Sequence, residues 1–208
     1  MRALITGADG QLARELVSTV PSGVQLRSVR RAECDITELP TIEKVFKSFR
    51  PDIVINTAAY TAVDAAEEDE DLAFQINARG AENVAKAAEL VGSRLIHIST
   101  DYVFDGGRST PYPPDAPTNP MNVYGASKLE GEKLALLAMP SAVIVRAGWM
   151  YSTTGENFVV HVLAALRDSR SLSVVWDQVG CPTSAHEFAV AIWKMRDISL
   201  QGVYHWRT

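Results

Sequence analysis

The sequence predicts an α/β fold built on a doubly wound parallel sheet, and three observations predict it. Short apolar runs rich in Val, Ile and Leu recur through Arg146, helix-patterned stretches separate them, and a glycine turn, Gly7-Ala-Asp-Gly10, stands at the first junction between the two. Continuous apolar runs are what strands covered on both faces require. Strand alternating with helix supplies the crossover connections of a parallel sheet. A glycine turn at the first strand-helix junction makes the sheet Rossmann-like, because backbone amides there can cradle a pyrophosphate.

In chain order, strands are expected at Ala3 to Thr6, Val24 to Val29, Ile53 to Asn56, Leu95 to Ser99 and Ala142 to Arg146. Helices are expected at Gln11 to Val20, Thr41 to Phe49, Ala65 to Val91 and Val123 to Leu137. The third of these opens on Glu67-Glu68-Asp69-Glu70-Asp71, acids that suit a helix start and read as a solvated face rather than a metal site. Gly106 to Asn122 carries Gly-Gly, Pro-Tyr-Pro-Pro and Pro117, a density of breakers that makes it an ordered loop. After Arg146 the character changes, with a helix expected near Phe158 to Arg167 and a strand at Leu172 to Val175. The expected division is a nucleotide-binding domain over 1–148 and a smaller, substrate-facing lobe over 149–208.

Chemistry concentrates at two places. In the opening turn Gly7 makes the bend, Gly10 lets the backbone approach a phosphate, and Ala13 allows close helix-strand packing. At the far end, Thr100 closes a strand and Tyr124 and Lys128 stand at i, i+4 on one helix face, so hydroxyl, phenol and ammonium can converge on one carbonyl. A phenol with pKa ~10 is a poor acid near neutrality, and Lys128 is placed to be the cation that lowers it.

The second strand ends in Arg30-Arg31 where a carboxylate would receive the ribose of NAD. Two guanidiniums there either clasp a 2'-phosphate or are solvated surface residues. The clasp favours NADP (NADPH), with NAD the alternative. Asp35 and Ile36 follow closely enough to meet the adenine, and Ala58 and Ala59 are small enough to leave room for the cofactor.

Bulk properties exclude other classes. A net charge of -5 gives no footprint for nucleic acid. No apolar run is long enough to cross a bilayer, and the chain opens directly on a core strand without a leader. Cys34 and Cys181 form no metal-ligand spacing, so a soluble protein of the reducing cytoplasm is expected. His161, His186 and His205 are unclustered and His97 reads as a satisfied core histidine, so no metal site is expected.

Motifs in order through the whole chain carry a resemblance: Gly7-x-x-Gly10-Gln11-Leu12, Pro51-Asp52-Ile-Val-Ile-Asn56, Ala58-Ala59-Tyr60-Thr61-Ala62-Val63-Asp64, Ser99-Thr100-Asp101-Tyr102-Val103-Phe104, Asn122-Val123-Tyr124-Gly125 and Asp177-Gln178-Val179-Gly180-Cys181-Pro182-Thr183. The chain resembles the extended short-chain dehydrogenase/reductase superfamily, within it the nucleotide-sugar reductases. The Ser-Thr-Asp-Tyr-Val-Phe and Asp-Gln-x-Gly-x-Pro-Thr stretches are the specific ones. The resemblance implies NADPH-dependent reduction of the C4 ketone of dTDP-4-dehydro-L-rhamnose to dTDP-L-rhamnose. It gives Tyr124 the role of proton donor, Lys128 that of tuning Tyr124 and binding the nicotinamide ribose, and Thr100 that of polarising the ketone. It adds Gln11, Leu12, Tyr60 and Ser99 to the cofactor contacts. Asp101, Tyr102 and Trp149 would face the sugar, although Asp101 also suits a turn cap and Trp149 a core position. Asn77 reads as structural.

Two departures qualify the resemblance. Glu15 matches a magnesium-bridging glutamate of some dimeric members, but His186 stands where a second acid is expected, so monomer and homodimer both stay open. Members also continue well beyond Thr208, so the lobe is expected to be incomplete at its C-terminal end. Two other readings remain. One is another extended-family nucleotide-sugar reductase or epimerase; a dehydratase is disfavoured because Tyr102 replaces that branch's Glu. The other is a non-catalytic NADP-binding regulatory subunit resembling that of methionine adenosyltransferase, which the intact Thr100, Tyr124 and Lys128 argue against.

Overall fold

The computed structural model describes residues 1–153, 155 and 157–207. The chain runs β1 (Arg2–Thr6), α1 (Gln11–Ser18), β2 (Gln25–Val29), α2 (Leu39–Phe49), β3 (Ile53–Asn56), α3 (Val63–Ala66), α4 (Glu70–Phe74), a π-turn (Gln75–Arg79) and α5 (Gly80–Val91). It continues with β4 (Arg94–Ser99), α6 (Val123–Ala138), β5 (Val143–Arg146), β6 (Met150–Tyr151), α7 (Phe158–Arg167), β7 (Thr183–Ser184), α8 (Ala185–Met195) and β8 (Gly202–His205). Six strands form one parallel sheet in the order β2-β1-β3-β4-β5-β8. Strand order therefore reverses between β1 and β3, which opens a crevice at their carboxyl ends.

Strand alternation sends the two faces of the sheet to different helices. Leu4, Val54, Leu95 and Ile144 pack with Ile42, Phe46, Val84 and Ala135 of α2, α5 and α6. Ile5, Ile55, Ile96 and Val145 pack with Leu16 of α1 and Phe188 and Ile192 of α8. Trp193 Nε1 donates to the Leu16 carbonyl at 3.0 Å and ties α8 to α1. On the α2/α5/α6 face the apolar rows end in Thr6, Asn56, His97, Ser99 and Arg146, all buried. These polar residues lie under the mouth of the crevice and become important below.

Three elements differ from expectation. The long helix expected over Ala65 to Val91 is divided into α3, α4 and α5, with the π-turn between the last two. Glu67 to Asp69 lie in the turn between α3 and α4, and Glu67 Oε1 accepts the Val123 amide at 2.8 Å, so one acid of the block caps the start of α6. Only Glu70 and Asp71 occupy a first helical turn, as the dipole argument expects. Residues 172–175 form no strand; Leu172, Val174 and Val175 are exposed there. Finally, α8 and β8 return the last part of the chain to the main sheet, where sequence reading placed only the lobe.

Close backbone approach seats α6. A Cβ at Gly131 would collide with the Asn77 carbonyl of the π-turn, and one at Gly125 with the Tyr102 carbonyl. Asn122 caps the helix, accepting from the Gly125 amide at 2.7 Å. Among the described residues no helix is long and apolar enough to cross a membrane.

Candidate active site

A cavity of about 770 Å³ occupies the crevice, and every sequence-predicted site residue but one lines it. At one end is the β1-α1 turn. Gly7 has φ +78°, and a Cβ there would stand 2.7 Å from the Ala58 nitrogen, so only glycine lets the turn lie against the end of β3. Gly10 is the N-cap of α1, whose first amides face the cavity without a side-chain cap. Such a turn fits a phosphate-bearing ligand.

Arg30 is the exception, standing outside the cavity lining beside Asp9, which lines it. Arg31 lines the cavity, while Arg30 pairs with Asp9 at 3.2 Å, both side chains being largely exposed. Both arginines lie in the turn after β2, where the two side chains take different directions. Arg31 Nε donates to Asp35 Oδ2 at 2.9 Å. Asp35 Oδ1 accepts from the Thr37 amide at 3.0 Å and the Thr37 hydroxyl at 2.8 Å. Burial pushes that carboxyl up, but these hydrogen bonds outweigh it and hold it below the usual range. Asp35 is thus an anchored anion that aims Arg31.

At the other end, Thr100, Tyr124 and Lys128 converge as the spacing predicts. The Tyr124 ring meets Tyr102 edge-on, with centroids 5.6 Å apart. Burial pushes the Tyr124 phenol up to about 12; the Thr100 hydrogen bond opposes the rise, while Asp101 and Tyr102 add to it. The expected lowering by Lys128 is not what the geometry gives. Lys128 Nζ turns to the Ile98 carbonyl, 2.7 Å away, and burial pushes its own pKa down to about 8 against the pull of Glu132. Tyr124 is therefore a fully protonated phenol near neutrality, the form a proton donor needs. Asp101 is raised above the ordinary carboxylate range by burial, with hydrogen bonds from Thr100 and the backbone opposing.

One wall of the cavity is formed by Trp149, half exposed and at φ +48°. A Cβ at Gly180 would strike the Trp149 indole, and one at Gly148 the Asp101 carboxylate. The Gly180 motif and the Trp149 motif, thirty residues apart in sequence, are thus two sides of one contact.

Sequence reasoning missed several contributors. Asn157 lines the cavity, caps α7 by accepting from the Val160 amide at 3.1 Å, and donates to Gln11 Oε1 at 3.0 Å. Its place before an apolar helix was the available signal. Asn77 does more than pack: its amide donates to the Tyr60 carbonyl at 3.0 Å and to Ser127 Oγ at 3.0 Å, and accepts from the Tyr60 amide at 2.8 Å. It locks a cavity-lining loop to the helix turn before Lys128. Ser99 faces the cavity, but its hydroxyl donates to Glu132, which also receives Arg146 Nε at 2.8 Å and Nη2 at 2.6 Å. His97 is half satisfied, Nδ1 being paired while Nε2 has no partner among the described residues. Glu15 and His186 meet at 3.2 Å.

A switch-point crevice with a glycine turn at one end and a Thr-Tyr-Lys cluster at the other defines an oxidoreductase of the extended short-chain dehydrogenase/reductase type. The sequence model of the RmlD substrate binding domain matches residues 1–208. The chain is 39% identical over 212 residues to the dTDP-4-dehydrorhamnose reductase of Sinorhizobium fredii, covering 99% of this chain and 72% of that one. It is 40% identical over 207 residues to the Mycobacterium tuberculosis enzyme of the same name, covering 97% and 67%. The solved dTDP-4-dehydrorhamnose reductase of Bacillus anthracis, in complex with NADP, superposes with a TM-score of 0.97 at 41% identity, covering 100% of this chain and 74% of that one. The chain belongs to the dTDP-4-dehydrorhamnose reductase family.

Proposed function

We propose that the protein reduces the C4 ketone of dTDP-4-dehydro-L-rhamnose to dTDP-L-rhamnose with NADPH. The observation that carries this is the convergence of Thr100, Tyr124 and Lys128 on the cavity that the Gly7 turn opens. The NADP named with the Bacillus anthracis relative suits the anchored Arg31. When bound, NADPH supplies the hydride that adds to C4. Gly7, Gly10 and the start of α1 would hold its pyrophosphate, and Arg31 its 2'-phosphate. Thr100 would donate a hydrogen bond to the ketone oxygen, favouring charge build-up there. Tyr124 would give its proton to that oxygen as it becomes an alkoxide, and Lys128 would return a proton to the phenolate.

Residues 1–148 act as the cofactor domain in this reading. Within 149–208, the Trp149 strand, α7 and the Gly180 loop make up the sugar-nucleotide lobe in this reading, and Phe158, Leu163 and Leu166 of α7 are exposed there. The reading places the enzyme in the cytoplasm, where the thiols of Cys34 and Cys181 are at home, as a monomer or homodimer.

Three measurements test these assignments. Fluorescence titration should give tighter binding of NADPH than NADH, and dTDP-4-dehydro-L-rhamnose should then oxidise the bound NADPH. Binding without oxidation would favour the regulatory-subunit reading. Arg31→Ala should lose about ten-fold of the preference for NADPH, the value of roughly one charged hydrogen bond; an equal loss in Arg30→Ala would restore the two-arginine clasp. Gly180→Val should displace the Trp149 indole and raise KM for the sugar nucleotide several-fold at unchanged NADPH affinity. An unchanged sugar KM would remove Trp149 from the substrate wall.

A further inference from the structure

Three polar side chains cross the sheet beneath the active site without touching the cavity. Thr6 Oγ1 donates to Asn56 Oδ1 at 2.6 Å, and Asn56 Nδ2 stands 2.9 Å from His97 Nδ1. They occupy one register row, Thr6 beside Asn56 and Asn56 beside His97, on the face that α6 covers. The orientation of the amide is fixed, because Asn56 Oδ1 also accepts the Ala58 backbone N–H at 3.3 Å. Asn56 Nδ2 must therefore donate to His97, Nδ1 must accept, and the ring proton must sit on Nε2. This row cannot pass a proton along, since an amide N–H does not serve as an acid. It does fix the imidazole as a neutral ring with one outward N–H.

That N–H is buried without a partner among the described residues, in a side chain 1% exposed. A buried unmet donor costs about 1–3 kcal/mol, so an acceptor is called for. Ile98, the next residue along β4, carries the carbonyl that receives Lys128 Nζ at 2.7 Å, so the ammonium is seated beside the His97 strand position on the face that α6 covers. An ammonium has no lone pair to offer, whereas an uncharged amine has one. We propose that His97 is a positioning residue whose fixed Nε2–H donates to the uncharged amine of Lys128, directly or through one water, and so holds Lys128 ready to release its proton.

The charge around Lys128 is consistent with that role. On α6 it has Tyr124 and Glu132 for neighbours, from β4 His97, and from the turn after β4 Asp101 and Tyr102, while Arg146 of β5 stands against Glu132. Glu132 is engaged by Arg146 and Ser99, so its attraction is shared, and β3 and the π-turn contribute the amides Asn56 and Asn77. Burial, and then the Lys128 charge, hold His97 well below the ordinary imidazole range. His97 therefore stays a donor while Lys128 changes charge. In the proposed reaction Lys128 becomes an amine on reprotonating Tyr124, and this is the state that His97 stabilises.

The direct test is nitrogen-15 NMR of histidine-labelled protein, with and without NADPH, between about pH 5 and pH 9. His97 should keep the Nε2–H tautomer throughout, and its Nε2 proton signal should move in one step as Lys128 titrates. The step should vanish in Lys128→Met. An imidazole that titrates near its ordinary value, an Nδ1–H tautomer, or a signal indifferent to Lys128 would overturn the proposal. A kinetic arm rests on the reductase reading: His97→Phe should move the alkaline limb of kcat upward by about one pH unit, a ten-fold change in proton affinity. His97→Gln, which restores a side-chain N–H, should bring it back. A limb that stays in place in a folded Phe variant contradicts the role. Loss of thermal stability alone would leave the limb unmoved, and failure of the reductase reading would appear as no NADPH oxidation while the NMR result stood.

Discussion

Tyr124→Phe is expected to lower hydride transfer to the sugar nucleotide by about a hundred- to ten-thousand-fold, the usual weight of one positioned acid. NADPH affinity should change little, because the ring and its edge contact with Tyr102 persist and only the hydroxyl is lost. The size of the effect follows from the surroundings. Thr100, the other hydroxyl of the Thr-Tyr-Lys cluster, is an aliphatic alcohol: it can turn its one O–H toward a ketone oxygen, but it is far too weak an acid to replace the phenol as proton donor. Pushed up to about 12 by burial, the phenol is fully protonated at neutral pH, so the wild-type reaction needs no prior proton uptake at Tyr124. Stopped-flow loss of NADPH fluorescence, single turnover, checks this directly. A variant that turns over within three-fold of the parent rate would move the proton donor elsewhere.

Glu132→Ala should produce the largest loss of stability, about 3–5 kcal/mol. The Glu132 carboxylate and the Arg146 guanidinium are 3% and 6% exposed, and two hydrogen bonds at 2.8 and 2.6 Å join them. Removing the anion leaves a buried cation facing Phe104 and the Pro114 carbonyl, and strips the Ser99 hydroxyl of its acceptor. Replacing both partners, Glu132→Leu with Arg146→Met, should recover much of that loss, because two apolar side chains of similar size need no partner. Urea unfolding midpoints of the three proteins decide it. A single variant within 1 kcal/mol of the parent, or a double variant no better than the single, would mean that water reaches the pair.

Much of the fold was legible because local signals and global packing agreed. Strands β1, β3, β4 and β5 are covered on both faces, so their runs of Val, Ile and Leu had no competing interpretation. β8 reads Gly-Val-Tyr-His at the sheet edge, half buried, and gives no such run. α8 was legible in principle: Ser184 and Glu187 have the capping-box spacing, and Ser184 Oγ accepts the Glu187 amide at 3.3 Å. The break over 65–91 was not, because it arises where Glu67 leaves the helix to cap α6 and where the Asn77 carbonyl meets Gly131, contacts made across many residues.

The site divides in the same way. Motif residues at strand ends were placed because the sheet itself carries them to the crevice. What supports them came from three dimensions. Glu132 looked like one more charge on a helix, yet Arg146 reaches it from another strand. His97 looked like core, and the direction of its unpaired nitrogen follows from an amide on the neighbouring strand, 41 residues earlier in the chain. Arg30 and Arg31 were indistinguishable as letters and separated only by which way each side chain leaves the backbone.

The proposed reaction adds hydride to C4 and a proton from Tyr124 to its oxygen. A single turnover of the chain with NADPH carrying deuterium at the transferable position and dTDP-4-dehydro-L-rhamnose, with the product read by NMR, tests both transfers at once. One deuterium is expected at C4 of dTDP-L-rhamnose in the native protein and none above background in Tyr124→Phe over the same interval. Deuterium retained in the cofactor by the native protein, with NADPH bound and sugar nucleotide present, would contradict it.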